Sequence, residues 1–290
     1  MSFDEITRTW LGIDFSGDHN RWRAKRDSNI YIARVSIQQG QRFLSSLQTV
    51  QELPGEGEPF QRLVSLLKAK DFDAAAIDAP FSVPREYLPR GGHQALLEQV
   101  AGIERPKNWP FPAAQDFVCR IVSGRATLGK QPLRECERAW RKKSINVRST
   151  LWAGPRGGAA MTAACLTLLH ETGNPIWPWH HAGEPGLLVE TFPAAQLRHW
   201  GWKHVAYDGD KEERRSNRGK LVASVSKLIG IPDGSLRQKM EQSADALDAV
   251  LCACAAIAVS TGALPQLLEP PDAPDEGQIA VLDKLEEQDC

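Results

Sequence analysis

Hydrophobic positions follow a strand pattern through the first fifty residues of the chain. A short apolar run over residues 9–15 meets a Ser-Gly-Asp turn signal and predicts a strand that ends near Asp14. Apolar residues alternate with polar ones over residues 30–37, and a second strand candidate covers residues 42–47. The short link at 38–40 suits a hairpin. The chain is therefore expected to begin with three consecutive antiparallel strands.

The following segments predict a helical crossover between parallel strands. Residues 59–69 place apolar side chains at helical spacing, and residues 72–78 have the composition of a buried strand that Pro80 stops. A further apolar strand covers residues 187–192 and stops at Pro193. A return through a helix is the usual way to join parallel strands. The sequence thus predicts an α/β fold, a mixed sheet flanked by helices.

The segment between the last two strands predicts a largely helical insertion, because residues 84–185 hold loops rich in Pro, Gly and Trp between helical patterns. The last predicted helix has Ser243 as a suitable N-cap. We expect one domain over residues 1–270 that includes this insertion, followed by an acidic segment, 271–290, with a small edge strand at 278–282. Further helices are predicted over residues 113–123, 159–171, 193–200, 211–229 and 243–261.

Composition is that of a soluble globular protein. The 290 residues are 42% hydrophobic and 24% charged. The longest apolar run, residues 249–259, is shorter than the roughly 20 residues that span a bilayer, and the first residues are acidic rather than signal-like. The six cysteines include no CxxC pair, which favours reduced and mostly buried thiols. We expect a cytoplasmic protein without a membrane span.

Charge is distributed unevenly although the net charge is only −1. Residues 120–150 hold nine basic and two acidic side chains, whereas residues 269–289 are strongly acidic. Cations interleaved with an aromatic and small hydroxyls are typical of phosphate binding, although a solvated face of an amphipathic helix has the same pattern. One hypothesis is that the acidic segment covers this patch. The candidate nucleic-acid contacts are Arg138, Arg141, Lys142, Lys143 and Arg148.

Aromatic residues in the insertion offer a second candidate surface. Residues 109–112 and 177–181 combine Trp with Pro, and such rings can stack on single-stranded bases or simply cover a core. His180, His181 and Glu184 are also a candidate metal-binding set.

Five carboxylates recur where strands end or helices begin. Asp14, Asp78 and Glu190 stand at or near the ends of three predicted strands, while Asp245 and Asp248 share one face of the last helix. Such positions commonly converge on one edge of an α/β sheet. Clustered carboxylates raise one another's pKa, and a divalent cation removes that repulsion. Mg²⁺ or Mn²⁺ held by these acids can activate water and stabilise the leaving oxygen of a phosphodiester.

Each acid also has a structural alternative. Asp14 and Asp78 can cap turns, and Asp245 can complement the N-terminus of its helix. Glu190 lies inside an apolar strand, where an unpaired charge is costly, so either a function or a buried ion pair is expected.

Four motifs in order resemble a known family: Gly-Ile-Asp-Phe-Ser-Gly at 12–17, Ile-Asp-Ala-Pro at 77–80, Val-Glu-Thr-Phe-Pro at 189–193 and Ser-Ala-Asp-Ala-Leu-Asp-Ala at 243–249. They are similar to the successive signatures of domain-of-unknown-function family 429, described as predicted nucleases with a ribonuclease H-like fold. The ending at 276–281 is also similar.

The resemblance implies metal-dependent cleavage of nucleic acid. In it Asp14 matches a first-strand acid, Asp78 a fourth-strand acid, and Asp245 with Asp248 a final-helix pair. Asp14 is the expected ligand shared by two metal ions. Glu190 departs from this pattern, because the fifth strand of ribonuclease H-like enzymes need not donate a ligand. Its role is left open between a metal ligand, a base beside the ligands and the structural partner of an arginine.

The sequence therefore favours a hydrolase of the nuclease type that uses Mg²⁺ or Mn²⁺ and binds nucleic acid. An actin-like phosphotransferase or ATPase is the main alternative, because residues 12–17 are also similar to a phosphate loop of that superfamily. The second glycine-rich loop of that superfamily is not found in the sequence. A non-catalytic module that binds nucleic acid or protein is a third possibility.

Overall fold

A mixed five-stranded sheet forms the centre of the protein, whose computed structural model describes residues 8–123, 132–265 and 273–283. The strand order is β3-β2-β1-β4-β5. β1 pairs with β2 and β2 with β3 in antiparallel fashion, while β1 with β4 and β4 with β5 are parallel. The predicted α/β mixed sheet is confirmed. The strands are Thr9–Ile13 (β1), Tyr31–Gln38 (β2), Gln41–Thr49 (β3), Ala74–Ile77 (β4) and Leu187–Glu190 (β5).

The hairpin between β2 and β3 turns at two residues with positive φ, Gln39 at 51° and Gly40 at 77°. This backbone is that of a type I′ turn, whose twist matches the flanking strands. The predicted three-stranded antiparallel start is therefore confirmed, including its short link.

Helices flank both faces of the sheet. The patterns that predicted α1, α3, α5, α6, α7 and α9 are confirmed, and the basic segment does contain an amphipathic helix, α4. Sequence reasoning missed α8, which is polar and buries only Met240, and also α2. The helices are Pro59–Lys68 (α1), Gly92–Ala101 (α2), Ala114–Val122 (α3), Glu135–Lys142 (α4), Ala159–Thr172 (α5), Pro193–His199 (α6), Glu212–Val225 (α7), Gly234–Gln242 (α8), Ala244–Thr261 (α9) and Ala273–Glu276 (α10).

Alternation along β1 divides the core into two layers. Leu11 and Ile13 face a cluster built with α1, α2, α3 and α5, whereas Trp10 faces a cluster built with α6, α7, α8 and α9. Cys252 and Cys254 are fully buried in the second cluster, as expected for packing thiols. Cys119 is exposed and the other described cysteines are buried, which confirms the expectation of mostly buried thiols.

Helix α9 packs directly on the sheet. It is the one helix in the described part of the chain that is long and apolar enough to cross a membrane, with a mean hydropathy of 1.6. However, 72% of it is buried inside the protein, mostly against β1, β2 and β4. It occupies the position of a core helix.

The chain after α10 returns to the interior. Ile279 and Val281 pack with Trp140 in a third small cluster. Thr191 and Ala280 form one isolated parallel bridge, so the strand predicted at 278–282 is reduced to a single pair. The physical reason is that the partner segment leaves the sheet at once, because α6 begins at Pro193.

On the same side of β5, the side away from β4, Ile176 forms a similar single bridge with Leu188. Among the described residues, this bridge is the only backbone pairing of the predicted insertion 84–185 with the sheet.

Close approach of α9 to β1 depends on Gly12. A Cβ at this position would lie 2.0 Å from the Ala249 carbonyl oxygen and 2.3 Å from the Ala253 nitrogen, both backbone atoms of α9. Gly12→Ala should therefore lower the free energy of unfolding by about 3 kcal/mol, the upper range of overpacking costs. Urea denaturation measures this change.

Gly219→Ala is the matched control, because a Cβ at Gly219 in α7 meets nothing within 4 Å. Replacing a helical glycine by alanine there should stabilise the protein by about 0.5–1 kcal/mol. Equal effects of the two substitutions would contradict the proposed packing of α9.

Candidate metal centre at the carboxyl edge of the sheet

Neighbouring parallel strands deliver Asp14 and Asp78 to the same edge of the sheet. Asp14 directly follows β1 and Asp78 directly follows β4. The Asp78 backbone N–H donates to the Ile13 carbonyl oxygen over 3.0 Å, so the two strands stay paired up to the acids. Asp14 is buried, with only 8% of its surface exposed. The structure confirms the predicted placement of both acids at the ends of strands.

Helix α9 brings the other two aspartates to this edge. Ser243 caps the helix by accepting a hydrogen bond from the Ala246 N–H, and Asp245 lies in the first turn. Asp248 follows three residues later on the same face. Because the Ala249 backbone packs on Gly12, the start of α9 lies beside the end of β1. Side chains more than 230 residues apart in sequence therefore become neighbours.

Burial and mutual repulsion together raise the pKa values of these carboxylates. Burial raises the pKa of Asp14 well above its ordinary value, and the charges of Asp248, Asp245 and Asp78 raise it further. The pKa of Asp248 is raised in the same way, first by burial and then by Asp78. Burial followed by the charges of Glu190 and Asp245 raises the pKa of Asp78 to about 7. The four aspartates thus form one electrostatically coupled group.

Cations from the chain do little to relieve this repulsion. Within the described ranges, no lysine or arginine forms an ion pair with Asp14, Asp78, Asp245 or Asp248. The pKa of Asp245 is also raised by burial, although Asn29 and Arg21 partly offset the shift. A group of buried and half-buried acids that forms no ion pair with the described lysines and arginines favours an external cation.

Two residues that the sequence did not indicate support the end of this group. The Tyr207 hydroxyl donates to Asp248 Oδ1 over 2.9 Å. Arg218 is buried and its guanidinium donates to the carbonyl oxygens of Tyr207, Gly209, Glu241 and Gln242, the last of which precedes the α9 cap. Arg218 therefore ties the Tyr207 loop to the start of α9. No short-range signal reveals this link, because 41 residues separate Tyr207 from Asp248.

Glu190 lies beside the aspartates but is held differently. Arg134 donates to both of its carboxylate oxygens, through Nη1 to Oε2 over 2.7 Å and through Nη2 to Oε1. The Phe81 backbone N–H also donates to Oε2 over 3.0 Å. All this is buried, and the same arginine pairs with Glu137. Of the three roles open to Glu190, the arginine partner is the one with contacts in the structure.

The basic residues predicted to bind nucleic acid are partly engaged within their own segment. Arg138 pairs with Glu135 over 2.7 Å, and Arg141 donates to the Val147 carbonyl oxygen. Lys143 lies over the Trp140 ring at 4.6 Å. Lys142 and Arg148 are exposed. Residues 124–131 of the basic segment and residues 271–272 and 284–290 of the acidic one lie outside the described residues.

The aromatic and histidine candidates are mostly used in packing. Phe111 is in the core, and Trp179 stacks on His93 at 3.6 Å. His180 Nδ1 accepts from the Ile176 backbone N–H, and Glu184 accepts from the His181 backbone N–H, while both histidines are exposed. Over the described part of the chain, no three His, Cys, Asp or Glu side chains form a ready-made metal-binding arrangement. This includes the aspartates, which are coupled neighbours rather than a closed cage.

Raised carboxylate pKa values give a defined pH dependence in metal-free protein. The unfolded chain ionises Asp78 near pH 3.8, whereas the folded protein keeps it protonated up to about pH 7. The unfolded state therefore binds fewer protons between these values, and stability must fall as the pH rises through this window. In EDTA, urea unfolding of wild type should lose more stability between pH 4 and 7 than unfolding of Asp78→Asn. Parallel profiles of the two proteins would contradict the raised pKa of Asp78.

Comparison with known proteins places this arrangement in a family. The family model described as "Protein of unknown function (DUF429)" matches residues 4–273, nearly the whole chain and all four aspartates. No curated protein and no solved structure matches this chain. The match confirms the family resemblance that the four sequence motifs indicated. The chain belongs to the family DUF429.

Proposed function

We propose that this protein is a metal-dependent nuclease that hydrolyses phosphodiester bonds at the aspartate group. The observation that carries the proposal is the electrostatic coupling of Asp14, Asp78, Asp245 and Asp248 at one edge of the sheet. Keeping such a group ionised at neutral pH requires a cation, and Mg²⁺ or Mn²⁺ prefers oxygen ligands of this type.

The sheet supports the same proposal. Three antiparallel strands at one side followed by two parallel ones, in the order β3-β2-β1-β4-β5, are the arrangement expected for a ribonuclease H-like fold. The resemblance of the sequence motifs implies this fold independently. Both lines assign Asp14 to the central strand, between the acid of β4 and the pair on α9.

The residues present fit a divalent cation. Carboxylates are hard oxygen ligands, and the buried Asn29 Oδ1 has no hydrogen-bond partner among the described residues, so a neutral oxygen is also present beside Asp245. When bound, such a cation supplies charge stabilisation and lowers the pKa of water. Cation binding then requires the carboxylates to converge by side-chain movement, from backbone positions that the β1–β4 pairing and the contact of α9 with Gly12 bring together.

The chain's own residues have distinct tasks in this proposal. Asp14 is the most buried of the four acids and is repelled by the other three, so it belongs at the centre of the ligand set. Tyr207 holds one oxygen of Asp248 and leaves the other available. Asp78 carries a proton below about pH 7 and must release it when a cation binds, which makes binding pH-dependent.

Asp14→Asn tests the proposal. Loss of the central ligand should lower Mn²⁺-dependent cleavage of DNA or RNA by more than about 100-fold, since even residues that only orient metal ligands contribute 10–100-fold. Gel assays with single- and double-stranded substrates measure cleavage, and circular dichroism checks folding. Asp71→Asn is the matched control, because Asp71 is an acid that is 81% exposed and precedes β4 at the opposite edge.

Normal cleavage by folded Asp14→Asn would refute the site. Hydrolysis of ATP by wild type without any cleavage of nucleic acid would instead support the actin-like alternative.

Tyr207→Phe tests the support of Asp248. Removing the hydroxyl leaves the carboxylate free to rotate and should weaken Mn²⁺ binding by about 10–100-fold, the usual effect of losing a group that orients a ligand. Calorimetry gives the affinity. Tyr87→Phe is the control with the same atom removed, since Tyr87 packs against the other core cluster. Unchanged affinity in Tyr207→Phe would show that Asp248 is not held for metal binding.

A further inference from the structure

Trp152 presents an indole to solvent. It is 42% exposed, and in the described ranges Val205 is the only other large hydrophobic residue so exposed. Other tryptophans, such as Trp10, Trp22 and Trp140, are among the most buried side chains of the protein. An exposed tryptophan that is held rigidly is suited to anchor a ligand, because little side-chain entropy is lost when the ligand binds.

Two glycines hold Trp152 in place. A Cβ at Gly154 would lie 2.5 Å from Trp152 Cζ2, and a Cβ at Gly157 would lie 2.7 Å from Trp152 Cδ1. The backbone of both residues therefore lies directly against the indole. The Trp152 N–H donates to Ser149 and its carbonyl oxygen accepts from Ala159, each over 3.3 Å. The ring is pre-organised by a loop that closes around it.

This loop lies at the same edge of the sheet as the aspartates. It leads into α5, whose far end is followed by Asn174, and Asn174 Nδ2 donates to the Gly186 carbonyl oxygen just before β5 begins. Helix α5 therefore starts at the carboxyl edge and ends at the amino edge. Its first turn packs on Gly17, where a Cβ would lie 2.5 Å from the Met161 nitrogen. Gly17 is three residues after Asp14.

Two arginines flank Trp152 in the sequence. Arg148 and Arg156 are exposed and stand four residues before and after Trp152 in the same connection. A connection that exposes an aromatic face and two guanidinium groups suits a strand of unpaired nucleotides, whose bases stack on the ring while the phosphates pair with the cations. Binding of a protein partner would not explain why Trp152 lies at the same edge of the sheet as a site suited to phosphodiesters.

We propose that Trp152 is a stacking platform for one unpaired nucleobase of the nucleic acid that enters the aspartate site, with Arg148 and Arg156 contacting the flanking phosphates. The inference deepens the proposed nuclease function and rests on it for the identity of the ligand. It makes single-stranded nucleic acid, or a strand separated at its end, the preferred substrate class.

Binding without cleavage tests this surface. Fluorescence anisotropy of labelled short single-stranded DNA and RNA in EDTA gives the affinity of the full chain. Trp152→Ala should weaken binding by roughly 5- to 150-fold, the range expected for one stacked base, and Trp152→Phe should retain most of the affinity. Val205→Ala, which removes the other exposed apolar side chain, should have no effect.

A single abasic nucleotide moved along the probe supplies the decisive comparison. At one position it should weaken binding to wild type and leave binding to Trp152→Ala unchanged, because the lost base and the lost ring are partners. Wild-type affinity in Trp152→Ala, equal losses from the abasic site in both proteins, or no binding by wild type would each overturn the proposal.

These outcomes separate the inference from the proposed function. A chain that cleaves nucleic acid through Asp14 and binds equally well without Trp152 loses only the stacking platform. A chain that binds bases through Trp152 but cleaves nothing in Mn²⁺ loses only the nuclease assignment.

Discussion

The contact between the backbone of α9 and Gly12 of β1 determines where the candidate site forms. Because no side chain intervenes at Gly12, the helix approaches the central strand until backbone meets backbone. That approach sets the start of α9 beside the end of β1, and with it Asp245 and Asp248 beside Asp14. Parallel pairing of β1 with β4 adds Asp78. The whole candidate site follows from two backbone arrangements and needs no unusual side-chain geometry.

Bringing buried acids together has an electrostatic cost that the protein treats in two ways. Around Glu190 the cost is offset internally, since Arg134 donates to both carboxylate oxygens and to Glu137. At the four aspartates it is offset only in part, and their pKa values rise. Arg134 forms an ion pair with the buried Glu190, whereas no arginine in the described residues forms one with the four aspartates beside it. This contrast favours a bound cation over a purely structural role for the aspartates.

Local pattern was enough to predict most of the fold and the acids of the site. The strand ends at Asp14 and Asp78 follow from apolar runs that stop at turn residues, and the cap at Ser243 follows from its place just before a helical run. These signals depend only on residues that are near one another in the sequence. Tyr207 was not predictable, because its hydroxyl meets Asp248 only once the loop before α7 is folded against α9. The contact of Arg134 was not predictable for the same reason. The composition of its segment indicated nucleic-acid binding, whereas its guanidinium is buried and pairs with Glu190. Long-range pairings of this kind leave no periodic trace in a single sequence.

Anomalous diffraction from crystals soaked in Mn²⁺ tests the central claim most directly, because it reports where a cation binds without reference to any substrate. The account predicts a strong peak between the side chains of Asp14, Asp78 and Asp248, with the carboxylates drawn toward it, and no such peak in crystals of Asp14→Asn. Saturating Mn²⁺ that leaves the aspartate group empty, or that binds only elsewhere on the surface, would contradict it.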